Sequence, residues 1–254
     1  MNVAITGGSR GLGAEVARNL SRTGHAVAIS YKSRRRRADR VLRECGGADS
    51  FTVQADLAAD SGPDRFAEAL QARWRHVDAL VLCASAGLEP HLSADAVRRI
   101  NHLGQLRLVE LVTALMRPGG RVVYVTSHPA HLWGEFHCPA GYRLVAETKR
   151  RCEDDLRARS GELERRGLRL TVLSADLFTD SPVAAVLDDF NPGLADQRAT
   201  LNGSALTTQQ VAAVVCDVLA GRRPAHGGTV IVGSTRSCPS PSTSTETTRS
   251  DCEY

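Results

Sequence analysis

The stretch TGGSRGLG occupies residues 6–13 and follows the short apolar run NVAI at residues 2–5. A helical pattern comes next, so the glycines lie between a β-strand and the start of a helix. Gly7 suits a tight turn, Gly11 lets the backbone approach a pyrophosphate, and Gly13 lets the helix pack closely on the strand. Free N–H groups of the first helical turn would face the anion. The stretch predicts a dinucleotide site, with a glycine-rich turn that binds no ligand as the alternative.

The composition is that of one α/β domain. The chain has 254 residues, of which 42% are hydrophobic, and this is enough to bury one sizeable core. We expect a single domain over residues 1–236 and a disordered tail rich in serine and threonine over residues 237–254. No apolar run reaches the roughly 20 residues of a membrane helix, and the first strand begins without a signal peptide. The expected protein is therefore cytoplasmic, without membrane contact.

The cysteines and the charge exclude two further classes of protein. Seven cysteines without C-x-x-C spacing argue against a disulfide framework and predict reduced thiols. The net charge of +4 is modest, and the dense basic run is RRRR at residues 34–37. This run is interpreted as a solvated helix start, a nucleic-acid patch or a clamp for a cofactor phosphate. Because no aromatic residues are interleaved with it and no nucleic-acid motif accompanies it, we expect no nucleic-acid partner.

The residues after the second predicted strand indicate which cofactor is bound. An acidic residue there would accept hydrogen bonds from the adenosine ribose and repel a 2′-phosphate. Here the sequence is Tyr31-Lys32-Ser33-Arg34, which has no acid and two cations. Arg10, in the glycine stretch, can close on the same phosphate from the other side. The sequence therefore favours NADP(H) over NAD(H).

The spacing Gly-x-x-x-Gly-x-Gly directly after a first strand resembles the short-chain dehydrogenase/reductase family, and the resemblance extends over residues 1 to about 233. It implies an α/β, single-domain Rossmann fold with a doubly wound parallel sheet of about seven strands, in the order 3-2-1-4-5-6-7. It also implies that Asp56, after the third strand, holds the adenine amino group, with a helix N-cap as the alternative role. The run ASAG at residues 84–87 stands where the family has Asn-Asn-Ala-Gly.

The cofactor site predicted from these features lies mainly on the loops that follow the first four strands. Its predicted residues are Gly7, Ser9, Arg10, Gly11, Leu12, Gly13, Tyr31, Lys32, Ser33, Arg34, Asp56, Leu57, Ala84, Ser85, Gly87 and Lys149. Lys149 belongs to this set because the resemblance places a lysine on the nicotinamide ribose.

The resemblance also implies the catalytic groups. In the family, a tyrosine moves a proton while the nicotinamide moves a hydride, a lysine four residues later lowers the pKa of the tyrosine, and a serine orients the substrate oxygen. A phenol with an ordinary pKa near 10 needs a nearby cation for this role. Ser127, after the predicted strand at residues 121–126, matches the serine. Asn101 matches an asparagine that kinks its helix and holds a water in the proton relay; the alternative is that it only satisfies a buried carbonyl.

The tyrosine is displaced in this chain. Lys149 follows Thr148 as the family lysine follows a serine, but Val145 then stands at the tyrosine position and has no proton to give. Tyr142 lies seven residues before Lys149, so we expect both on one helix face, about 10 Å apart along the axis. Tyr142 is the predicted acid/base and must lean back towards the site. Lys149 is either a surface lysine or a cofactor ligand, and the second role is favoured because Lys32 is the single other lysine among 32 basic residues.

The connection between the serine and the tyrosine, residues 128–141, brings four polar side chains near the cleft: His128, His131, Glu135 and His137. They have no established metal-ligand spacing, so no metal is expected. Histidines of a surface loop are the favoured interpretation, and a substitute proton donor is the alternative.

Longer segments outside these motifs have simpler interpretations. Helices are expected at about residues 94–115 and 142–164. The segment at residues 176–203 lies where the family has its substrate lid, and its prolines and small polar residues predict a flexible stretch.

The leading hypothesis for function is an NADP(H)-dependent oxidoreductase that interconverts a carbonyl and an alcohol on a small molecule, with secondary metabolism as one setting. A non-redox enzyme on the same scaffold, such as a cyclase, dehydratase or isomerase, is the alternative that the missing proton donor at Val145 suggests. A catalytically silent NADP-binding sensor is the third, since a fold does not fix a function. The resemblance implies a homodimer or homotetramer.

Overall fold

The computed structural model describes residues 1–47, 49–223 and 228–237. The predicted disordered tail, apart from Ser237, lies outside the described residues. Within them, one seven-stranded sheet has helices packed on both faces.

The strands follow the order β3-β2-β1-β4-β5-β6-β7, and every neighbouring pair is parallel. They are β1 (Asn2–Thr6), β2 (Ala26–Tyr31), β3 (Phe51–Gln54), β4 (Val77–Leu82), β5 (Met116–Ser127), β6 (Arg169–Ala175) and β7 (Thr229–Val232). Because helices cover both faces, the central strands are continuous apolar runs rather than alternating ones, and Val3, Ala4 and Ile5 are all fully buried. The predicted Rossmann fold is confirmed.

The described helices are α1 (Gly11–Arg22), α2 (Arg35–Cys45), α3 (Ser61–Arg73), α4 (Ala94–Arg98), α5 (Gly104–Thr113), α6 (His128–His131), α7 (Arg143–Ala158), α8 (Ser160–Arg165), α9 (Pro182–Phe190), α10 (Leu194–Leu201) and α11 (Thr208–Leu219). A π-helical turn, Arg99–Leu103, joins α4 to α5. Helices α1, α2 and α11 pack on one face of the sheet, and α3, α5 and α7 pack on the other. In the part of the chain that the structure describes, no helix is long and apolar enough to cross a membrane.

Three segments differ from the expectations drawn from the sequence. The helix expected at residues 94–115 is interrupted by the π-turn, and the one expected at 142–164 is divided into α7 and α8. The segment at 176–203, expected to be flexible, contains α9 and α10. Ser181 caps α9 through its side chain and Pro182 occupies its first turn. The proline therefore starts a helix here, where its missing N–H costs nothing, rather than preventing one.

A buried ion pair fastens α10 to the end of β6. Nε of Arg198 donates to Oδ1 of Asp176 at 2.8 Å, and each side chain is 3% exposed. Arg198 also donates to the backbone carbonyls of Ser234 and Arg236, and Asn202 Nδ2 donates to Asp176 Oδ2 at 2.7 Å. Because each buried charge has several partners, its desolvation is compensated. This network fixes the segment that the sequence alone presented as loose.

Candidate functional site

The glycine loop after β1 forms a cradle for an anion. A Cβ on Gly13 would lie 2.8 Å from the carbonyl oxygen of Gly7, so α1 can approach the loop only with glycine at residue 13. Gly11 has φ +54°, and a Cβ there would meet no heavy atom within 4 Å, so the loop opens into space at that point. Arg10, at the cap position of α1, makes no side-chain hydrogen bond to the helix. The first N–H groups of α1 thus have no capping side chain and suit a bound pyrophosphate.

Side chains from β1 and α5 hold the loop that follows β4. Thr6 Oγ1 accepts hydrogen bonds from the N–H groups of Cys83 and Ala84, both at 3.0 Å, and Gln105 Nε2 donates to the carbonyl of Ala84 at 2.9 Å. Thr6 and Gln105 are both fully buried. Together they satisfy backbone groups beside the segment that lacks the family's asparagines. Sequence reasoning missed both residues; the available signals were a hydroxyl at the end of a buried strand and an amide on an apolar helix face.

Asn101 lies in the π-turn and joins two elements of the site. Its Oδ1 accepts from the N–H of Ala86 at 2.9 Å, and its Nδ2 donates to the carbonyl of Ala86 at 2.8 Å and to Thr148 Oγ1 at 3.1 Å. The expected kink at Asn101 is present as this π-turn. The side chain also satisfies a buried carbonyl, as the alternative interpretation held, so it links the loop after β4 to α7.

The predicted phosphate end of the site consists of polar side chains after β2. Lys32, Ser33 and Arg34 are exposed. Lys32 Nζ lies 3.1 Å from Oδ2 of Asp56. The other carboxylate oxygen, Oδ1, accepts a hydrogen bond from the N–H of Ala58 at 3.0 Å. Asp56 does not cap a helix, because α3 begins only at Ser61 with no side-chain cap. The N-cap alternative for Asp56 is wrong.

The other predicted cofactor residues lie on the loops at the same edge of the sheet. Buried among them are Leu12, Gly13, Tyr31 and Leu57; half-buried are Gly7, Ser9, Gly11, Ala84 and Gly87; Ser85 is exposed.

An ion pair crosses the crevice between the loops that follow β1 and β4. Arg10 Nη2 lies 3.3 Å from Oε1 of Glu89, and Oε2 of Glu89 accepts from the N–H of Gly87 at 3.0 Å. Burial would raise the pKa of Glu89, but the backbone N–H groups of Gly87 and Glu89, together with the Arg10 charge, lower it overall. The carboxyl group is therefore ionised at neutral pH. Arg10 was predicted as a phosphate ligand, whereas sequence reasoning missed Glu89.

Ser127 and Tyr142 come together at the end of β5. Ser127 is the last residue of β5, and Tyr142 occupies the cap position before α7. Tyr142 therefore stands at the very start of the helix, with helical backbone angles and with its carbonyl accepting from the N–H of Ala146 at 3.0 Å. Burial raises the pKa of Tyr142, and the neighbouring Ser127 hydroxyl offsets part of that shift. Ser127 Oγ has no well-formed hydrogen bond among the described residues, so the two hydroxyls are neighbours with unused hydrogen-bonding capacity.

Lys149 is buried in α7 against the end of β5. Its Nζ donates to the carbonyl of Val125 at 2.9 Å and lies 5.6 Å from the centre of the Tyr124 ring. Tyr124 donates in return to the backbone carbonyl of Lys149 at 3.0 Å. Burial lowers the pKa of Lys149. The surface-lysine alternative is wrong, since the residue is 6% exposed; yet Lys149 is not among the groups that shift the pKa of Tyr142.

An apolar cluster surrounds the phenol on the side of α9 and α10. Its buried members are Ala130, Tyr142, Val145, Ala146, Leu187 and Leu194. Val145 packs over the loop after β4, because a Cβ on Gly87 would lie 2.6 Å from its Cγ2. The cluster packs apolar side chains around the Tyr142 ring beside Ser127.

The favoured interpretation of surface-loop histidines is wrong for His128, which is buried, whereas His131 and His137 are half-buried and Glu135 is exposed. His128 is fully buried, with Nδ1 2.8 Å from Ser174 Oγ, and burial lowers its pKa to about 4. His131 Nδ1 lies 2.7 Å from Oε1 of Glu153, a carboxylate that is 1% exposed. Across residues 1–47, 49–223 and 228–237 there is no group of three or more acidic, histidine or cysteine side chains that could hold a metal ion.

A family model and several curated proteins are similar in sequence to this chain. A family model described as short chain dehydrogenase matches residues 1–139. The chain is 30% identical over 141 residues to versicolorin reductase 1 of Aspergillus parasiticus, covering 51% of this chain and 53% of that protein. It is 31% identical over 148 residues to L-rhamnose 1-dehydrogenase (NADP(+)) of Thermoplasma acidophilum, covering 53% and 58%. The chain spans about half the length of the curated relatives it matches.

A solved structure extends the likeness across both halves of the fold. A short chain dehydrogenase from Burkholderia cenocepacia in complex with NADP has a TM-score of 0.71 and 25% sequence identity to this chain. The match covers 91% of this chain and 95% of that one. The family match ends at residue 139, whereas the structural match extends over most of the chain.

Proposed function

We propose, since the chain belongs to the short chain dehydrogenase family, that it is an NADP(H)-dependent oxidoreductase that interconverts a carbonyl and an alcohol on a small molecule. The observation that carries the proposal is the pairing of Ser127 with Tyr142 at the carboxyl end of β5. Open parallel sheets place their ligands at this edge.

Tyr142 and Ser127 divide the proton chemistry. When bound, the nicotinamide supplies the hydride for the carbonyl carbon or accepts it from the alcohol carbon. In reduction, Ser127 Oγ donates a hydrogen bond to the substrate oxygen, and Tyr142 gives that oxygen its phenolic proton. The raised pKa of Tyr142 keeps the phenol protonated at neutral pH, which suits the reducing direction.

Lys149 and Asn101 act around this pair. In the proposal, Lys149 offers its ammonium protons to the cofactor ribose while the carbonyl of Val125 holds Nζ in place. Asn101 keeps the loop after β4 in register with α7 through Ala86 and Thr148, and its role in a water relay is part of the proposal. Because Lys149 does not shift the pKa of Tyr142, the phenol is a weaker acid catalyst than one paired with a cation.

The choice of NADP(H) rests on the cations at the adenosine end. Arg10, Lys32 and Arg34 lie on the loops after β1 and β2, and no acidic side chain occupies residues 32–37. Two of the similar proteins support this choice. One is named L-rhamnose 1-dehydrogenase (NADP(+)), and the Burkholderia cenocepacia dehydrogenase is described in complex with NADP. The glycine cradle fits the pyrophosphate of such a cofactor, as the open space at Gly11 indicates.

The proposed substrate is a compact, partly apolar carbonyl or alcohol. The apolar cluster around Tyr142 supports this class, and the likeness to versicolorin reductase 1 points to secondary metabolism as the setting. A cytoplasmic location and a homodimer or homotetramer complete the proposal.

The test replaces Tyr142 with phenylalanine. Turnover of NADPH with a panel of ketones and aldehydes is followed by the loss of reduced-nicotinamide absorbance. Tyr142→Phe should lower kcat about 100-fold or more while the Kd for NADPH stays unchanged, because a general acid contributes roughly two to four decades of rate. Retained turnover in Tyr142→Phe would reject Tyr142 as the acid, and unchanged NADPH binding serves as the control for folding.

A non-redox enzyme on this scaffold is the second candidate. The resemblance implies that Val145 stands at the family's tyrosine position, and the amine of Lys149 donates to the backbone carbonyl of Val125. Substrate conversion without any change in nicotinamide absorbance would favour this candidate. Stoichiometric oxidation of NADPH would exclude it.

A further inference from the structure

Glu89 connects the two loops that flank the crevice at the turning point of the sheet. Strand β1 lies between β2 and β4, so the chain leaves this point in opposite directions and the loops after β1 and β4 face each other. Glu89 is anchored on its own side through the N–H of Gly87 at 3.0 Å, and its second oxygen holds Arg10 at 3.3 Å. The carboxylate therefore ties the cation of the glycine loop to the opposite wall.

Two of the three cations proposed to bind phosphate already have carboxylate partners. Arg10 pairs with Glu89, and Lys32 pairs with Asp56 at 3.1 Å. The side chains of Arg10 and Glu89 are 56% and 34% exposed, so water screens the attraction between them and the pair is readily broken. A phosphate ester carries a charge of about −1.5 to −2 at neutral pH, and it attracts an arginine more strongly than a single carboxylate does.

We propose that Glu89 is a specificity-determining residue that competes with the 2′-phosphate of the cofactor for Arg10. This inference rests on the proposed function, because it concerns how the chain distinguishes NADP(H) from NAD(H). Arg10 leaves Glu89 when a 2′-phosphate is present and stays with Glu89 when the ribose carries a hydroxyl. Gly87 keeps its hold on Glu89 in both cases, so the loop after β4 does not lose its anchor.

The strength of the ion pair between Glu89 and Arg10 determines how much Glu89 lowers the affinity for NADP(H). Breaking an exposed ion pair costs little, so Glu89 adjusts the affinity for NADP(H) several-fold rather than by decades. Without Glu89, Arg10 has no partner to give up, and affinity for the phosphorylated cofactor rises. Affinity for NADH stays the same, because Arg10 does not move when that cofactor binds.

The experiment measures Kd for NADPH and NADH by titration of nicotinamide fluorescence, with four proteins: the unchanged chain, Glu89→Gln, Arg10→Gln and the double variant. Glutamine keeps an acceptor for the N–H of Gly87 but removes the charge that holds Arg10. Glu89→Gln should lower the Kd for NADPH about 2- to 5-fold and leave the Kd for NADH unchanged. In the Arg10→Gln background the same substitution should have no effect.

Glu164→Gln is the matched control, because it removes one exposed acidic charge from α8, which leads into the amino end of β6 at the edge of the sheet opposite the glycine loop. An unchanged or raised Kd for NADPH in Glu89→Gln overturns the proposal. So does a gain that persists in the Arg10→Gln background, since that gain would come from net charge rather than from competition for Arg10.

Hydrogen exchange of the cofactor-free protein separates failure of this inference from failure of the proposed function. If the unchanged chain binds neither NADPH nor NADH, the proposed function fails, and the bridge is judged by exchange alone. Arg10→Gln and Glu89→Gln should each speed amide exchange in peptides covering residues 83–89, because both remove the tie to the glycine loop. Exchange rates equal to those of the unchanged chain would show that the bridge does not hold the loops.

Discussion

Two halves of the molecule, called the cofactor half (residues 1–113) and the catalytic half (residues 114–223 and 228–237) after the proposed function, differ in the hydrogen bonds of the polar groups at their strand ends. In the cofactor half, Thr6 and Asn101 satisfy the backbone of the loop after β4. In the catalytic half, Thr126, Ser127 and His128 each have a buried polar atom with no well-formed hydrogen bond among the described residues, although Tyr142 is a neighbour of Ser127 and the backbone of Gly233 is a neighbour of His128. Buried polar groups are nearly always paired, so these three consecutive residues at the end of β5 differ from Thr6 and Asn101, whose side chains form several hydrogen bonds.

The difference teaches how the two halves depend on the sequence. The cofactor half is built from short spacings after strands, and the short chain dehydrogenase match covers residues 1–139, which include all of it. The catalytic half depends on long-range contacts, such as the ion pair of Arg198 with Asp176 and the approach of Tyr142 to Ser127.

The largest expected effect comes from breaking the buried pair of the catalytic half. Arg198→Met leaves the Asp176 carboxylate buried without its cation, so the free energy of unfolding should fall by about 3–5 kcal/mol. Chemical denaturation measures the change. Arg222→Met is the matched control, since the pair of Arg222 with Asp217 is exposed and its loss should cost less than about 1 kcal/mol. Equal losses in the two variants would contradict the importance of burial.

A smaller effect should follow from pH through His128. Burial lowers the pKa of His128 to about 4, below its unfolded value of 6.5, so the folded state binds fewer protons. Its contribution to stability is complete above pH 6.5 and is lost as the pH falls towards 4, by about 3 kcal/mol at most. Denaturation of the unchanged chain and of His128→Asn at pH 7, 5.5 and 4 measures it. Parallel pH profiles for the two proteins would refute this role of His128.

The smallest effect on stability should come from the two hydrogen bonds that Thr6 Oγ1 accepts from the loop after β4. Thr6→Val preserves the shape of the side chain but leaves the N–H groups of Cys83 and Ala84 without their acceptor. The free energy of unfolding should fall by about 2 kcal/mol. Thr52→Val on β3 is the control, because its hydroxyl makes one contact, to Asp39 at 3.5 Å, and should change stability by less than about 0.5 kcal/mol. If both valine variants are equally stable, these two hydrogen bonds do not stabilise the loop.

The sequence predicted the fold and much of the site because these depend on local spacing. The glycine stretch at residues 6–13 and the apolar runs predicted the Rossmann sheet. The cap position of Tyr142 was not predictable, because seven-residue spacing looks helical whether or not the helix has begun. Glu89 was missed because its partner, Arg10, lies 79 residues away in the chain. The helices α9 and α10 were not predicted, because the prolines of this segment suggested a flexible stretch. The ion pair of Arg198 with Asp176, which holds α10 to β6, cannot be recognised from the local sequence.

The hydrogen bond from Lys149 of α7 to Val125 of β5 affects how the two lysines of the chain react with amine-directed reagents. Lys32 and Lys149 are the two lysines of the chain, and the latter is shielded by Val125 and Tyr124. The Lys32 side chain is 51% exposed at the adenosine end of the crevice. An acylating reagent applied to the folded protein should therefore modify the exposed amine of Lys32 and spare the buried amine of Lys149. Labelling of Lys32 therefore reports on the surface proposed to bind the cofactor phosphate, and labelling of Lys149 reports on unfolding of α7 from β5.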